Sequence, residues 1–225
     1  MAAQRIAGTF YKYAVSESSN RWLIVMVKAP VAGRVKTRLA AGVGVPLATA
    51  FYRNSSNAVI GRLSRDSRWS TVLSVSPDSA VGRAPWPKLT QIPQGRGDLG
   101  TRMENAFRAL PPGPAVLIGS DIPGIEPKHI ATAFRRLGEN DVVFGPAEDG
   151  GYWLVGMARR RPVLNPFKGV PWSSDRTLSE NLRILGRYRT AMVDRLGDVD
   201  TSEEYHRVAA SACRLVLPAK DASSK

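Results

Sequence analysis

The segment KAPVAGRVKTRLA, residues 28 to 40, carries Lys28, Arg34, Lys36 and Arg38 and no acidic residue. Like charges on a short segment repel one another unless an anion neutralises them, and Gly33 among them lets the backbone approach a ligand closely. Phosphate capture is the chemistry this pattern suits. A solvated basic face is the plain alternative, and the segment is not a P-loop, because G-x-x-x-x-G-K-[ST] is missing.

Three further stretches offer carboxylates. In GSDIPG (119–124) an apolar run stops at Asp121, with the stiff Pro123 behind it. An oxygen ligand at a strand end suits Mg²⁺ or Mn²⁺, which take carboxylates and keep waters to share with phosphate oxygens; read alone, Asp-x-Pro-Gly is also a turn signal. In GPAEDGGYWLVG (145–156), Glu148 and Asp149 precede Gly150-Gly151. The glycines let a loop close over a ligand beside Tyr152 or Trp153, or simply close a hairpin. In GDVDTSEEY (197–205), Asp200 stands just before a helix that opens with the capping-box pattern Thr201-Ser-Glu-Glu204. Ordinary capping accounts for Asp200, and a second carboxylate such as Asp121 would be needed to make it a metal ligand.

The elements that must position these residues alternate. β-rich runs at 22–27, 70–75, 115–119, 141–145, 152–157 and 190–194 are separated by helical patterns at 47–63, 98–110, 127–137 and 175–185, with the last helix opening at Thr201. Asp98 reads as an N-cap for Leu99, Met103, Ala106, Phe107 and Leu110 at helical spacing, and a short helix is expected to begin within 37–39. Such alternation predicts an α/β fold, a three-layer α/β/α sandwich with a mostly parallel central sheet. Ligands of open α/β sheets bind beyond the carboxyl ends of the strands, and all four stretches fall there. The expected organisation is a peripheral extension over 1–21, one domain over 22–217 and a tail over 218–225.

Composition bounds the partners. The chain has 225 residues, 43% of them apolar, and a net charge of +13. Charge of that sign attracts nucleic acid, anionic membrane or small polyanions. No helix-turn-helix, zinc-finger or RNP-type signature is present, and basic residues occur in every segment, which argues against nucleic acid. No apolar run reaches the roughly 18 to 20 residues of a membrane span. Cys213 stands alone, so no intramolecular disulfide can form, and a cytoplasmic location is expected.

Taken together, KAPVAGRVKTRL, GDLGTRM, GSDIPGI, GPAEDGGYWLVG, KGVPWSSD and DVDTSEEY resemble the bacterial DUF2064 group, glycosyltransferase-like proteins of the nucleotide-diphospho-sugar transferase (GT-A) superfamily. The superfamily's guanylyltransferases, which act on 2-phospho-L-lactate or the molybdenum cofactor, are similar in using a basic loop after the first strand for nucleotide phosphates. The resemblance implies that Lys28, Gly33, Arg34, Lys36 and Arg38 hold phosphates. It implies Asp121 as ligand of Mg²⁺ or Mn²⁺, with Asp200 as a second metal ligand. One departure is that Lys28-Ala29-Pro30 replaces the usual Gly-rich loop of the nucleotidyltransferases.

The expected activity is metal-dependent transfer from a nucleotide-activated donor, a nucleotide-sugar, to a small acceptor. Asp121 would be catalytic through the metal, and Glu148 or Asp149 would contact the acceptor hydroxyl or act as its base. Nucleotidyl transfer from an NTP is the alternative, since pyrophosphate and nucleoside diphosphate need the same clamp as leaving groups. A nucleic-acid-binding module and a nucleotide-binding protein without turnover are the other readings.

Overall fold

The computed structural model describes residues 20–83, 86, 89–160, 166–172, 174–197 and 199–207, with the backbone of 5–6 and 9–10. Cys213 lies outside them. The chain divides into two compact units, Met1–Ala29 with Arg53–Asp198, and Pro30–Tyr52 with Val199–Lys225.

In the first unit, β1 (Arg5–Ile6) and β2 (Thr9–Phe10) pair antiparallel. Then β3 (Trp22–Lys28), β4 (Ser70–Ser76), β5 (Thr90–Pro93), β6 (Ala115–Gly119), β7 (Val142–Pro146), β8 (Tyr152–Met157) and β9 (Thr190–Met192) build a seven-stranded sheet in the order β5-β4-β3-β6-β8-β7-β9. Neighbours are parallel except where β8 runs against β6 and β7. The α-helices are α1 (Thr37–Val43), α2 (Val45–Leu63), α3 (Leu99–Arg108), α4 (Pro127–Arg136) and α5 (Thr177–Ile184).

β3 reads WLIVMVK because both of its faces are covered, as a central strand of a parallel sheet requires. Leu23, Val25 and Val27 pack with Val59, Ile60 and Leu63 of α2 and with Ile130, Ala133 and Phe134 of α4. Trp22 and Ile24 face the opposite layer, with Met103, Ala106 and Phe107 of α3 and Leu178 and Leu182 of α5. This is the expected three-layer arrangement.

Helix starts follow local chemistry. Asp98 Oδ1 accepts from the Thr101 amide at 2.8 Å and its hydroxyl at 2.7 Å, so Asp98 is the N-cap of α3. These two donors hold its carboxyl below the usual range. Leu99 shares the helical spacing of the buried set but is 46% exposed, because it begins the helix ahead of the first full turn. α4 opens with Pro127, and the Glu126 amide donates to His129 Nδ1 at 3.0 Å. β5 was not expected: Thr90–Pro93 is short and lies at the sheet edge, where its alternation is too brief to read.

Two arginines of the Arg159-Arg160-Arg161 run tie down the segments just past α3 and α4, while Arg161 lies outside the described residues. Arg159 donates to the carbonyls of Leu110, Pro111 and Gly113, and Arg160 to those of Leu137 and Gly138. These carbonyls lie in the turns that follow the two helices, and the guanidinium groups supply donors to them. Arg159 should therefore stabilise the fold. With about 2 to 3 kcal/mol for charged hydrogen bonds to otherwise orphaned carbonyls, Arg159→Ala should lower the unfolding midpoint by roughly 5 to 10 °C in a thermal melt; an unchanged midpoint would make it a surface residue.

Candidate functional site

The sheet places one cation and one carboxylate side by side. From β3 the chain crosses to β4 and then β5 on one side; the strands after β6 build the other side. The crossover direction thus changes between β3 and β6, which are hydrogen-bonded neighbours with Met26 opposite Gly119. Lys28 ends β3, Asp121 follows the end of β6, and both leave the same edge of adjacent strands roughly 4.8 Å apart. Lys28 is exposed and Asp121 partly so.

The backbone under Asp121 is held. Ser56 Oγ donates to the buried Ser120 Oγ at 3.2 Å, and the Ile125 amide closes a turn on the Ile122 carbonyl at 3.2 Å. Arg62 Nη1 donates to the carbonyls of Pro123 and Ile125 at 3.1 and 2.6 Å. The turn therefore follows Asp121 rather than including it. Its carboxylate folds back over Gly119, where a Cβ would sit 3.0 Å from Asp121 Oδ1. Neither Ser56 nor Arg62 was singled out from sequence: both lie inside a long helix, where nothing marks which side chains reach a distant loop.

Glu148 and Asp149 lie in the connection of the antiparallel β7–β8 hairpin, at the same sheet edge. The Ala147 amide donates to the Gly151 carbonyl at 3.1 Å, and the Gly151 amide to Asp149 Oδ1 at 2.9 Å, an Asx-type closure. Gly150 takes φ 83°, and a Cβ there would meet the Asp175 carbonyl oxygen at 2.2 Å. The loop is thus pressed onto the start of α5, where the Leu178 amide donates to the Gly150 carbonyl. Both acids are exposed, and Glu148 lies beside Gly197. Tyr152 packs edge-on against Phe144 with ring centres 4.9 Å apart, and burial pushes its hydroxyl pKa up. Trp153 is buried and its indole donates to the Asp194 carbonyl at 2.9 Å.

The second unit holds the rest of the basic segment. Gly33 takes φ 72° in a turn where the Arg34 amide donates to the Val31 carbonyl, and Arg34 is exposed. Lys36 is the N-cap of α1, with φ 45° and ψ 49°. Its ammonium donates to Asp200 Oδ1 at 2.5 Å, and Arg38 Nη1 lies 3.6 Å from Asp200 Oδ2. Residues 202–207 are helical, and the capping box is formed: the Thr201 amide donates to Glu204 Oε2 at 2.8 Å and the Glu204 amide to Thr201 Oγ1 at 3.3 Å. Two amide donors, from Asp200 and Thr201, keep Glu204 below its usual pKa. Phe51 meets Tyr205 edge-on at 5.3 Å.

Among the described residues no group of three or more His, Cys, Asp or Glu could form a metal cage. A cation held by fewer protein ligands would complete its shell with oxygens from phosphate and water, a mode that suits Mg²⁺. No described helix is long and apolar enough to cross a membrane.

The fold is of the nucleotide-diphospho-sugar transferase type. The chain is similar to a protein of Desulfovibrio desulfuricans G20 described as a nucleotide-diphospho-sugar transferase, at 27% identity and a TM-score of 0.75 over 91% of this chain and 90% of the other. The fold recurs in 4-diphosphocytidyl-2C-methyl-D-erythritol synthase of Anaerococcus prevotii DSM 20548, at 10% identity and a TM-score of 0.58 over 88% and 100%. It recurs too in a CMP:2-keto-3-deoxy-manno-octonic acid synthetase complexed with CTP, at 13% identity and a TM-score of 0.53 over 87% and 99%. No curated protein matches the chain in sequence. The model of the family described as uncharacterized protein conserved in bacteria (DUF2064) matches residues 59–174, just over half of the chain. The chain belongs to that family.

The docking of the 147–151 loop yields a direct test. Ala at position 150 would carry both a left-handed φ and a clash with the Asp175 backbone. Gly150→Ala should cost about 2 kcal/mol or more in chemical denaturation, and full retention of stability would show that the loop is not held against α5.

Proposed function

We propose that this chain is a transferase that uses a nucleotide-activated donor, with a nucleotide-sugar as the donor and a divalent cation carried on its phosphates. The observation that carries the reading is the pairing of Lys28 and Asp121 at the ends of β3 and β6, where the crossover direction changes. That crevice is where open α/β sheets bind nucleotides, since loops on its two sides diverge and leave the strand ends open.

In this reading Asp121 would hold Mg²⁺ or Mn²⁺ and Lys28 would take phosphate oxygens, while Gly33, Arg34, Lys36 and Arg38 of the acid-free segment are the further candidates for phosphate. The cation, when bound, neutralises charge on the departing diphosphate. The acceptor hydroxyl attacks the anomeric carbon as the bond from that carbon to the phosphate oxygen breaks; its proton passes to Glu148 or Asp149. Both carboxylates are exposed on a loop of fixed backbone, which suits contact with an incoming acceptor. Nucleotidyl transfer is the second reading. It is favoured by the likeness in fold to the synthetase complexed with CTP, and it would use the same Lys28 and Asp121 with pyrophosphate as leaving group.

Thermal melts with NTPs and nucleotide-sugars, with and without Mg²⁺ or Mn²⁺, test the reading. A ligand at about a hundred times its Kd adds roughly 2.7 kcal/mol to apparent stability. A nucleotide-sugar with metal should raise the melting temperature of the parent. Asp121→Asn should melt like the parent without ligand and lose the metal-dependent part of the rise. An Asp121→Asn protein that responds as the parent does would reduce Asp121 to a residue preceding a turn.

A further inference from the structure

Gln94 follows β5 directly and carries its pairing one residue further, its amide donating to the Val75 carbonyl at 3.0 Å. The side chain turns back across the sheet: Nε2 donates to the Ser74 carbonyl of β4 at 2.9 Å and to the Val27 carbonyl of β3 at 3.2 Å. Both partners are carbonyl oxygens, which only the nitrogen of a carboxamide can satisfy, so chemistry fixes which way the group faces. The residue is 6% exposed, and among the described residues nothing donates to its Oε1. Ser74 is fully buried and its own hydroxyl has no partner. A buried acceptor left unpaired is costly, which points to a donor supplied by a ligand.

The backbone beside Gln94 is bare and held. Gly95 and Gly97 take φ 77° and 113°. The Gly95 amide donates to Asp78 Oδ1 at 3.0 Å, and Asn105 Nδ2 donates to the Gln94 carbonyl at 3.3 Å. A Cβ on Gly95 would sit 2.9 Å from Asn105 Nδ2, and one on Gly97 2.8 Å from Thr101 Cβ. Glycine at both positions leaves a flat stretch of chain against which a planar ring can lie.

Val27, whose carbonyl Gln94 holds, immediately precedes Lys28. The carboxamide thus stands one to two strand spacings, roughly 5 to 10 Å, from the crevice between β3 and β6, on the side away from β6. With phosphates at that crevice, a nucleotide laid along the strand ends brings its base toward Gln94.

From this geometry we infer that Gln94 is a specificity-determining residue for the nucleobase of the donor: its Oε1 accepts from the exocyclic amino group of cytosine, adenine or guanine. Uracil and hypoxanthine lack that amino group, and their ring N–H lies next to a carbonyl oxygen whose lone pairs would face Oε1. Uridine nucleotides are therefore disfavoured. The inference rests on the nucleotide-transferase reading and adds to it the class of base.

The test titrates nucleoside diphosphates, the part that both candidate donors share, into the full chain by calorimetry in Mg²⁺. CDP is compared with UDP, and ADP and GDP with IDP. The best-binding of CDP, ADP and GDP should bind about ten-fold more tightly than its comparator, as a hydrogen bond to an otherwise unpaired buried acceptor is worth. Gln94→Met keeps the length of the side chain and loses the acceptor. In this variant the amino-bearing nucleotide should fall to the affinity of its comparator, which itself should change little.

Equal binding within the pair, or a preference for UDP or IDP, would overturn the inference while leaving nucleotide binding in place. That comparison needs only the parent, so it decides the matter even if the variant does not fold. A folded variant that weakens both members alike and keeps their ratio would also overturn it, and make Gln94 a strap across β3, β4 and β5. A parent that binds none of the diphosphates would sink the transferase reading itself and this inference with it.

Discussion

The change of crossover direction between β3 and β6 is the constraint on which the first unit depends. Both strands are covered on both faces along most of their length, so their backbone groups pair with neighbouring strands and the covered side chains are apolar. A sheet covered in this way can present functional groups only where its strands end. At most strand ends the connection to the next helix covers the edge. Where connections depart in opposite directions it does not, and Lys28 and Asp121 are the first charged side chains to emerge there from their strands.

The net charge of +13 has a different meaning once its members are placed. Arg62, Arg159 and Arg160 donate to backbone carbonyls of loops and helix ends. Burial lowers the Arg159 pKa, the expected consequence of withdrawing a cation from water to hold a loop. Arg68, Arg108 and Arg183 meet Asp66, Glu104 and Glu180 in exposed pairs that contribute little to stability. What remains distinctive is local: cations concentrated in an acid-free segment, one of them buried against a distant carboxylate.

Much of this architecture is legible in the sequence because it is written in local rules. Asp98 signals the start of α3, Thr201 and Glu204 announce their capping box, and Ile130, Phe134 and Leu137 mark the buried side of α4. The mostly parallel sheet follows from alternation of element types. β5 escapes notice because four edge residues with a terminal proline carry too little pattern. The roles of Arg159 and Ser56 escape for another reason, since their partners lie 49 and 64 residues away. No spacing rule encodes a contact of that kind.

GSDIPG and DVDTSEEY each offer an aspartate beside a helix or turn, and type and spacing alone treat the two alike. Their surroundings separate them. Asp121 stands at a strand end beside a neighbouring strand that ends in Lys28. Asp200 has one oxygen on a buried ammonium and the other beside a guanidinium. A carboxylate's capacity to ligate a cation falls with each positive group already on it, because the newcomer must repel or replace that group at close range. What each aspartate can do therefore depends on the groups the fold brings to it, and neither motif names them. For Asp200 one such group is Lys36, whose left-handed backbone brings the ammonium inward while Arg38, two residues on, stays in solvent.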